Sequence, residues 1–252
     1  MTTAPKKQSP KYYSSIKVAR EFVDQALVLQ VINYSENGVI VKFFSREHGL
    51  ISCFAQKKKG SKGSNYLPFS LCEIEYYSKK ASGLFSLRSC KIISPYTSLY
   101  TDPLKTTILL FLSEVLVKTV KEDTANPELF SFLRREFLYF DQLEEGVSNF
   151  HLYFLSHLIS HLGFKPLHGD GRFFNLEEGE FVDYQPSEKH FDEAESRMFS
   201  SFLQSSGEDI KTICVNRVER SALLKGIIDF YRFHCAGFGE LKSMAVMEEV
   251  YI

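Results

Sequence analysis

The sequence predicts an α+β protein: a five-stranded OB-type β-barrel near the N-terminus, then a mostly α-helical domain carrying a short β-hairpin insertion. Three observations predict it. Between residues 26 and 93, apolar and polar residues alternate with period two in five short runs bounded by turn signals. Beyond Asp102 the apolar spacing lengthens to that of helices. The charge divides at the same place: residues 1–98 carry 15 Lys and Arg against 6 Asp and Glu, net +9, and residues 99–252 carry 15 against 25, net −10. Such a swing inside a chain of net charge −1 marks two units and aims the basic one at a polyanion. The expected boundaries are a polar arm over residues 1–21, the barrel over 22–98 and the helical domain over 99–252, with the hairpin near 172–184.

In the first strand, Leu27, Leu29 and Val31 fall on one face and Val28, Ile32 and Tyr34 on the other. Ser35-Glu36-Asn37-Gly38 turns the chain, because Asn-Gly accepts the positive φ angles of a tight hairpin. A second strand covers residues 39–45, Arg46-Glu47-His48-Gly49 turns again, and a third covers 50–56. Two more follow a long connection, near 71–77 and 84–93. Five strands interrupted after the third fit an OB barrel; an SH3-like barrel or a plain meander gives a similar pattern.

The interruption carries the chemistry: Lys57-Lys58-Lys59-Gly60-Ser61-Lys62-Gly63-Ser64. Four ammonium groups on a Gly/Ser backbone follow a phosphate chain without demanding one fixed geometry. Arg46, Arg88 and Lys91 extend the patch if the barrel closes as expected. Tyr66, Tyr76 and Phe85 are candidate platforms for unpaired bases. Each has a plainer reading, since a lysine run is as often a solvated loop and strand aromatics more often belong to a core. Neither pattern separates DNA from RNA.

In the second half, Asp102-Pro103 and Asn126-Pro127 open helices, a side-chain oxygen capping free amides and Pro fitting the first turn. Leu104, Ile108, Phe111, Leu112 and Val115 continue the first stripe; Leu129, Phe132, Leu133 and Phe137 continue the second. A third helix spans 147–162 and stops at Gly163. The period then changes: two aromatic runs around Glu177-Glu178-Gly179 predict the hairpin. Helical spacing returns over 191–203, 218–234 and 240–250.

Other chemistry is thin. Five cysteines (Cys53, Cys72, Cys90, Cys214, Cys235) are odd in number and never form Cys-x-x-Cys, against a disulfide framework or a cysteine zinc site. His157 and His161 share a helix face behind His151, a spacing that holds zinc. However, no His-Glu-x-x-His is present and Leu158, Ile159 and Leu162 surround them, so structural histidines are expected. His168 and Asp170 add an exposed pair of no greater weight. There is no phosphate-binding Gly-x-x-x-x-Gly-Lys-Ser/Thr loop and no Gly-x-Ser-x-Gly elbow, and the carboxylates are spread as a solvated face. No enzyme, metal or cofactor is called for. No apolar run approaches the roughly 18 residues that cross a bilayer, and the polar start lacks the apolar centre of a secretion signal. A reducing cytoplasm is the expected compartment.

The order of several stretches resembles one bacterial family, RecO. They are Phe43-Phe44-Ser45-Arg46-Glu47-His48-Gly49-Leu50-Ile51, the basic loop with Leu67-Pro68-Phe69, Leu112-Ser113-Glu114-Val115-Leu116 and Asn126-Pro127-Glu128-Leu129-Phe130, then Leu162-Gly163-Phe164-Lys165-Pro166 and a close running from His234 through Gly239 to Ser243. The resemblance implies a non-catalytic mediator of DNA repair and recombination. It would bind single- and double-stranded DNA, anneal complementary strands, engage the acidic tail of single-strand-binding protein (SSB) and, with RecR, promote RecA loading. Lys57, Lys58, Lys59 and Lys62, helped by Arg46, Arg88 and Lys91, would meet phosphates; Lys165 and Arg232 are candidates for the SSB tail. Many family members place zinc-binding cysteines after Leu-Gly-x-x-Pro, but residues 167–184 contain none, and aromatic packing is expected instead. The alternative is an RNA- or ribosome-associated OB protein, which shares the basic barrel but leaves the helical resemblance unexplained.

Overall fold

The period-two segments become strands that close on themselves. β1 (Arg20–Ser35), β2 (Gly38–Ser45), β3 (Gly49–Gln56), β4 (Leu71–Ser78) and β5 (Leu84–Ser94) form a closed barrel in the order β1-β2-β3-β5-β4. Neighbours are antiparallel except β3 and β5. The computed structural model describes residues 20–57, 66–78, 83–120, 124–167 and 171–251; Lys58, Lys59, Lys62, His168 and Asp170 lie outside the described residues, as does the chain before Arg20.

Val28, Val41, Phe43, Ile51, Cys53 and Ile74 fill the barrel. The register of β1 against β2 slips between Val28 and Gln30, and such a bulge reverses which face later residues occupy. Leu27 and Leu29 therefore face the helices, whereas Val28 and, past the bulge, Val31 face the barrel interior. The expected grouping of Leu27, Leu29 and Val31 on one face is corrected by this slip. β1 also starts at Arg20, earlier than the alternation reveals, because Arg20 to Leu27 pair with β4.

Among the described residues six α-helices follow: α1 (Pro103–Thr119), α2 (Pro127–Gln142), α3 (Phe150–Leu162), α4 (Glu193–Gln204), α5 (Arg217–His234) and α6 (Met244–Tyr251). Their ends obey local chemistry. Asp102 accepts the amides of Leu104 and Lys105 at 2.8 and 3.2 Å, and Asp192–Glu195 and Asn216–Glu219 form reciprocal capping boxes. The expected hairpin is present as β6 (Phe173–Asn175) and β7 (Glu180–Val182), with a third strand, β8 (His190–Phe191), too short to show a period. Phe174 packs against Phe181, Phe199 and Phe230 with ring centroids 4.7, 4.9 and 5.4 Å apart. Of the histidines, His151 is buried in the helical core, His157 packs on Tyr153 and His161 on Phe132.

Barrel and helices share one hydrophobic core. Leu27, Leu29, Phe44, Leu50 and Phe69 leave the barrel to join the buried faces of α1, α2 and α3. Phe69 stacks on Phe137 with centroids 3.6 Å apart and does so from φ +63°, a backbone region unfavourable for a bulky residue that its burial offsets. At Gly49 (φ +69°) an added Cβ would lie 2.2 Å from the Thr124 carbonyl oxygen, so the β2–β3 turn approaches the α1–α2 connection only as glycine.

A buried carboxylate ties the two parts. Asp141 at the end of α2 accepts the amides of Thr97, Ser98 and Leu99 at 2.9, 2.7 and 3.0 Å, on the segment leading from β5 to α1. Burial pushes its pKa up, but these donors outweigh that and hold it below the usual value. Lys105 completes the clasp, donating to Ser98 Oγ at 2.7 Å and to the Asp141 carbonyl at 2.9 Å.

Candidate nucleic-acid interface

The inward alternation of β2 and β3 leaves a second set of side chains outside the barrel. Ile32, Ile40 and Phe54 are direct partners across β1, β2 and β3, and Gln30, Lys42 and Ser52 form the next row. Tyr34, 63% exposed, stands edge-on to Phe54 with centroids 6.0 Å apart. An added Cβ at Gly38 would lie 2.4 Å from the Phe54 ring, so the glycine makes room for it. Lys57 closes this face: its amide bonds the Asn37 carbonyl at 2.9 Å and its Nζ the Ser35 carbonyl at 3.3 Å. The lysine run thus departs from beside the two outward-facing rings. An aromatic pair flanked by ammonium groups offers stacking and phosphate neutralisation together.

The other expected cations fall elsewhere. Arg46 sits at the opposite end of β3 from Lys57, eight strand residues away, or about 25 Å at the rise of a strand. There it faces Arg134 and Arg135 of α2 across a groove. Arg88 lies on the β1–β4–β5 side, paired with Glu21 at 3.1 Å, and Lys91 stands opposite Glu73 of β4. An acidic residue thus neighbours each of them. Lys165 is exposed beside Phe164, whose ring packs on Phe230, Tyr231 and His234 of α5. Arg232, next to Tyr231, is held by Asp229 at 2.8 Å.

The three candidate stacking aromatics follow the plainer reading and belong to the barrel core. Tyr76 is 2% exposed, on the inward phase of β4, and its hydroxyl bonds His48 Nδ1 at 2.9 Å. Phe85 lies edge-on to Tyr76 at 5.1 Å and Tyr66 edge-on to Phe43 at 6.4 Å, both against the barrel interior. Tyr34 and Phe54 were missed, although the signal existed: with Ile51, Cys53 and Ala55 inward, Phe54 must point out.

A buried network supports the β2–β3 turn. Asp24 accepts a hydrogen bond from Ser45 Oγ, the Gln25 amide at 2.7 Å and the Glu47 amide at 3.1 Å; Ser45 Oγ in turn accepts the His48 amide at 3.1 Å. Ser45 and His48 are thus used to hold a turn. Among the described residues no group of three or more His, Cys, Asp or Glu is placed to hold a metal, and no helix is long and apolar enough to cross a membrane.

The barrel and the helical body both match one class of proteins, those of DNA recombination and repair. Residues 20–96 match the family model "Recombination protein O N terminal", and residues 100–245 match "Recombination protein O C terminal". The chain belongs to the RecO family. It is 32% identical to the DNA repair protein RecO of Azobacteroides pseudotrichonymphae over 235 residues, covering 90% of this chain and 98% of that one. It is equally 32% identical to that of Flavobacterium psychrophilum over 234 residues, with the same coverage. The RecO of Phocaeicola vulgatus is 30% identical, over 89% of this chain and 97% of its own. The chain accordingly has a role in DNA repair and recombination.

Proposed function

We propose that this chain is a non-catalytic, cytoplasmic mediator that binds single- and double-stranded DNA on an OB-type barrel and anneals complementary strands. The single observation carrying this is the outer face of β1–β2–β3, where Tyr34 and Phe54 stand beside Lys42, Lys57 and the start of the lysine run. OB barrels present this strand face and its adjoining loops to oligonucleotides. Unpaired bases stack on the two rings, while Lys57, Lys58, Lys59 and Lys62 neutralise phosphates and so lower the repulsion between two strands. Arg88 and Lys91 contribute less, since Glu21 pairs with the first and Glu73 stands opposite the second. Family membership supports the wider role: engagement of the acidic SSB tail, with Lys165 and Arg232 beside the Phe164 packing as its cations, and delivery of RecA together with RecR.

The test is single-stranded DNA binding against salt. Lys57, Lys58, Lys59 and Lys62 changed to Ala should flatten the log–log salt slope by about 0.7 for each phosphate no longer neutralised. Tyr34→Ala with Phe54→Ala should weaken binding by about 1–3 kcal/mol per stacked base and leave the slope intact. Unchanged affinity in both variants would overturn the assignment of this face. Structured RNA outcompeting single-stranded DNA on the parent protein would favour the RNA-associated reading.

A further inference from the structure

The groove between the barrel and α2 is not used by the face just described. Arg46 reaches it from the β2–β3 turn, and Arg134 and Arg135 reach it from α2; it encloses about 390 Å3. Its walls are fixed. The Arg46 amide bonds the Gln25 carbonyl at 2.9 Å, and behind the groove Phe44 of β2 packs on Phe130 of α2 with centroids 6.3 Å apart. Arg135 is positioned by Glu136 at 2.8 Å and by the Phe132 ring, 5.5 Å from its guanidinium carbon. Among the described residues Arg46 pairs only with the exposed Glu47, 3.7 Å away. Arg134 is exposed and makes no ion pair among the described residues.

We propose that this groove is a second anion site that takes the phosphodiester backbone of a nucleic-acid strand. The inference rests on the DNA-binding reading above and adds a place where a second strand, or a distant part of the first, is held. Three features favour a phosphate chain over an acidic protein segment. Cations come from both walls, which suits a polyanion passing between them better than a single carboxylate. What the groove exposes are chiefly guanidinium groups, able to meet phosphate oxygens in varied geometry; the Ser131 hydroxyl beside them already donates to the Pro127 carbonyl at 2.8 Å. Of its apolar lining, Phe130 is only 3% exposed and Leu138 is partly buried, so no open apolar pocket awaits a side chain. Two of the three arginines also come from the half of the chain that is otherwise acidic, at net −10, which makes the cluster a local reversal of field. A strand here and a strand on the Tyr34–Phe54 face would be held by one molecule, as annealing requires.

The experiment uses the full chain with Arg46→Ala and Arg134→Ala together, leaving Arg135 in place because the nearly buried Glu136 depends on it. Both substituted positions are exposed, and an unchanged thermal melt checks the fold. Against a single-stranded oligonucleotide long enough to reach both sites, the salt slope should fall by about 1.4, two phosphates at about 0.7 each, and annealing of complementary oligonucleotides should slow. An unchanged slope in a variant whose parent binds DNA would overturn the groove while leaving the barrel face standing. A parent that binds no DNA would overturn the reading on which both depend. If a labelled oligoglutamate peptide binds the parent and not the variant while the DNA slope stays constant, the ligand is an acidic protein segment and the proposal is wrong.

Discussion

Replacing Asp141 with Ala should destabilise the protein by about 3 kcal/mol, and the magnitude follows from what its carboxylate holds. Three backbone amides point at it, from Thr97, Ser98 and Leu99. A hydrogen bond to a charged group contributes about 1.5–3 kcal/mol, and a buried donor left without a partner costs about 1–3 kcal/mol. Leu99 is fully buried, so its amide has no solvent to turn to, whereas Thr97 is exposed and recovers much of its loss in water. Counting Leu99 in full and the other two in part gives the figure above. Asp141→Asn keeps one acceptor oxygen and should cost about half as much. Urea titration followed by far-ultraviolet circular dichroism is the assay: the midpoint should fall with little change in slope. The sign of the pH dependence is also set. The folded-state pKa is depressed, so this stabilisation is present above the unfolded value of about 4 and is lost as pH falls through the folded one. A destabilisation below about 1 kcal/mol for Asp141→Ala, or the same acid sensitivity in parent and variant, would refute the clasp.

Further expectations concern the core. Burial, aided by the positive charge of Arg220, lowers the His151 pKa to about 3, so the unfolded chain binds a proton near pH 6.5 that the folded one refuses. Stability should be complete above pH 6.5 and decline as pH falls toward 3, by as much as about 4–5 kcal/mol from this residue; His151→Leu should flatten that part of a stability–pH curve, and an unaltered curve would argue against it. In α5, a Cβ at Gly226 would lie 1.9 Å from the Phe191 ring, so Gly226→Ala should lower stability by about 1–3 kcal/mol through overpacking despite the better helix propensity of Ala; a higher melting temperature would contradict this. Cys53 is buried, which pushes its thiol up to about 12, whereas Cys214 is exposed. A thiol-specific reagent should therefore modify Cys214 at once and Cys53 only on unfolding, and prompt labelling of Cys53 would show that the barrel opens.

The architecture was legible in the sequence where one local rule governs. Asp102-Pro103 and Asn126-Pro127 mark helix starts because capping depends on neighbours only, and both helices begin there. Period two located all five barrel strands. What stayed hidden depends on interactions between distant segments. The slip at Leu29 moved Val31 to the interior and is a property of β1 and β2 together. Tyr76 looked like a stacking platform because its chemistry suits one; only barrel closure shows it bonded to His48 inside. Arg134 and Arg135 drew no notice in an acidic half, since nothing in their spacing announces that α2 would bring them opposite Arg46.

Several of the stretches that carry the family resemblance turn out to bond parts of the molecule far apart in sequence. Ser113 of α1 donates through Oγ to the Leu29 carbonyl in the barrel. Its neighbour Glu114 accepts the amides of Lys242 and Ser243, each at 2.9 Å, and the Ser243 hydroxyl at 2.6 Å, tying the chain before α6 back onto α1. Phe44 meets Phe130, and Gly49 lets the β2–β3 turn approach Thr124. The Ser113, Phe44 and Gly49 contacts converge on the seam between barrel and helices, which is also where Asp141 and Lys105 act, while Glu114 closes the helical part on itself. The spacing of Arg46 from Arg134 is therefore set by the seam and not by either part alone. On the proposed reading, a strand in the groove and a strand on the β1–β2–β3 face would keep a fixed separation only while the seam is closed. Loosening it with Asp141→Asn, under conditions where the protein stays folded, should reduce annealing more than it reduces single-strand binding, although no cation is touched. Equal reductions in both would mean that the two faces act independently.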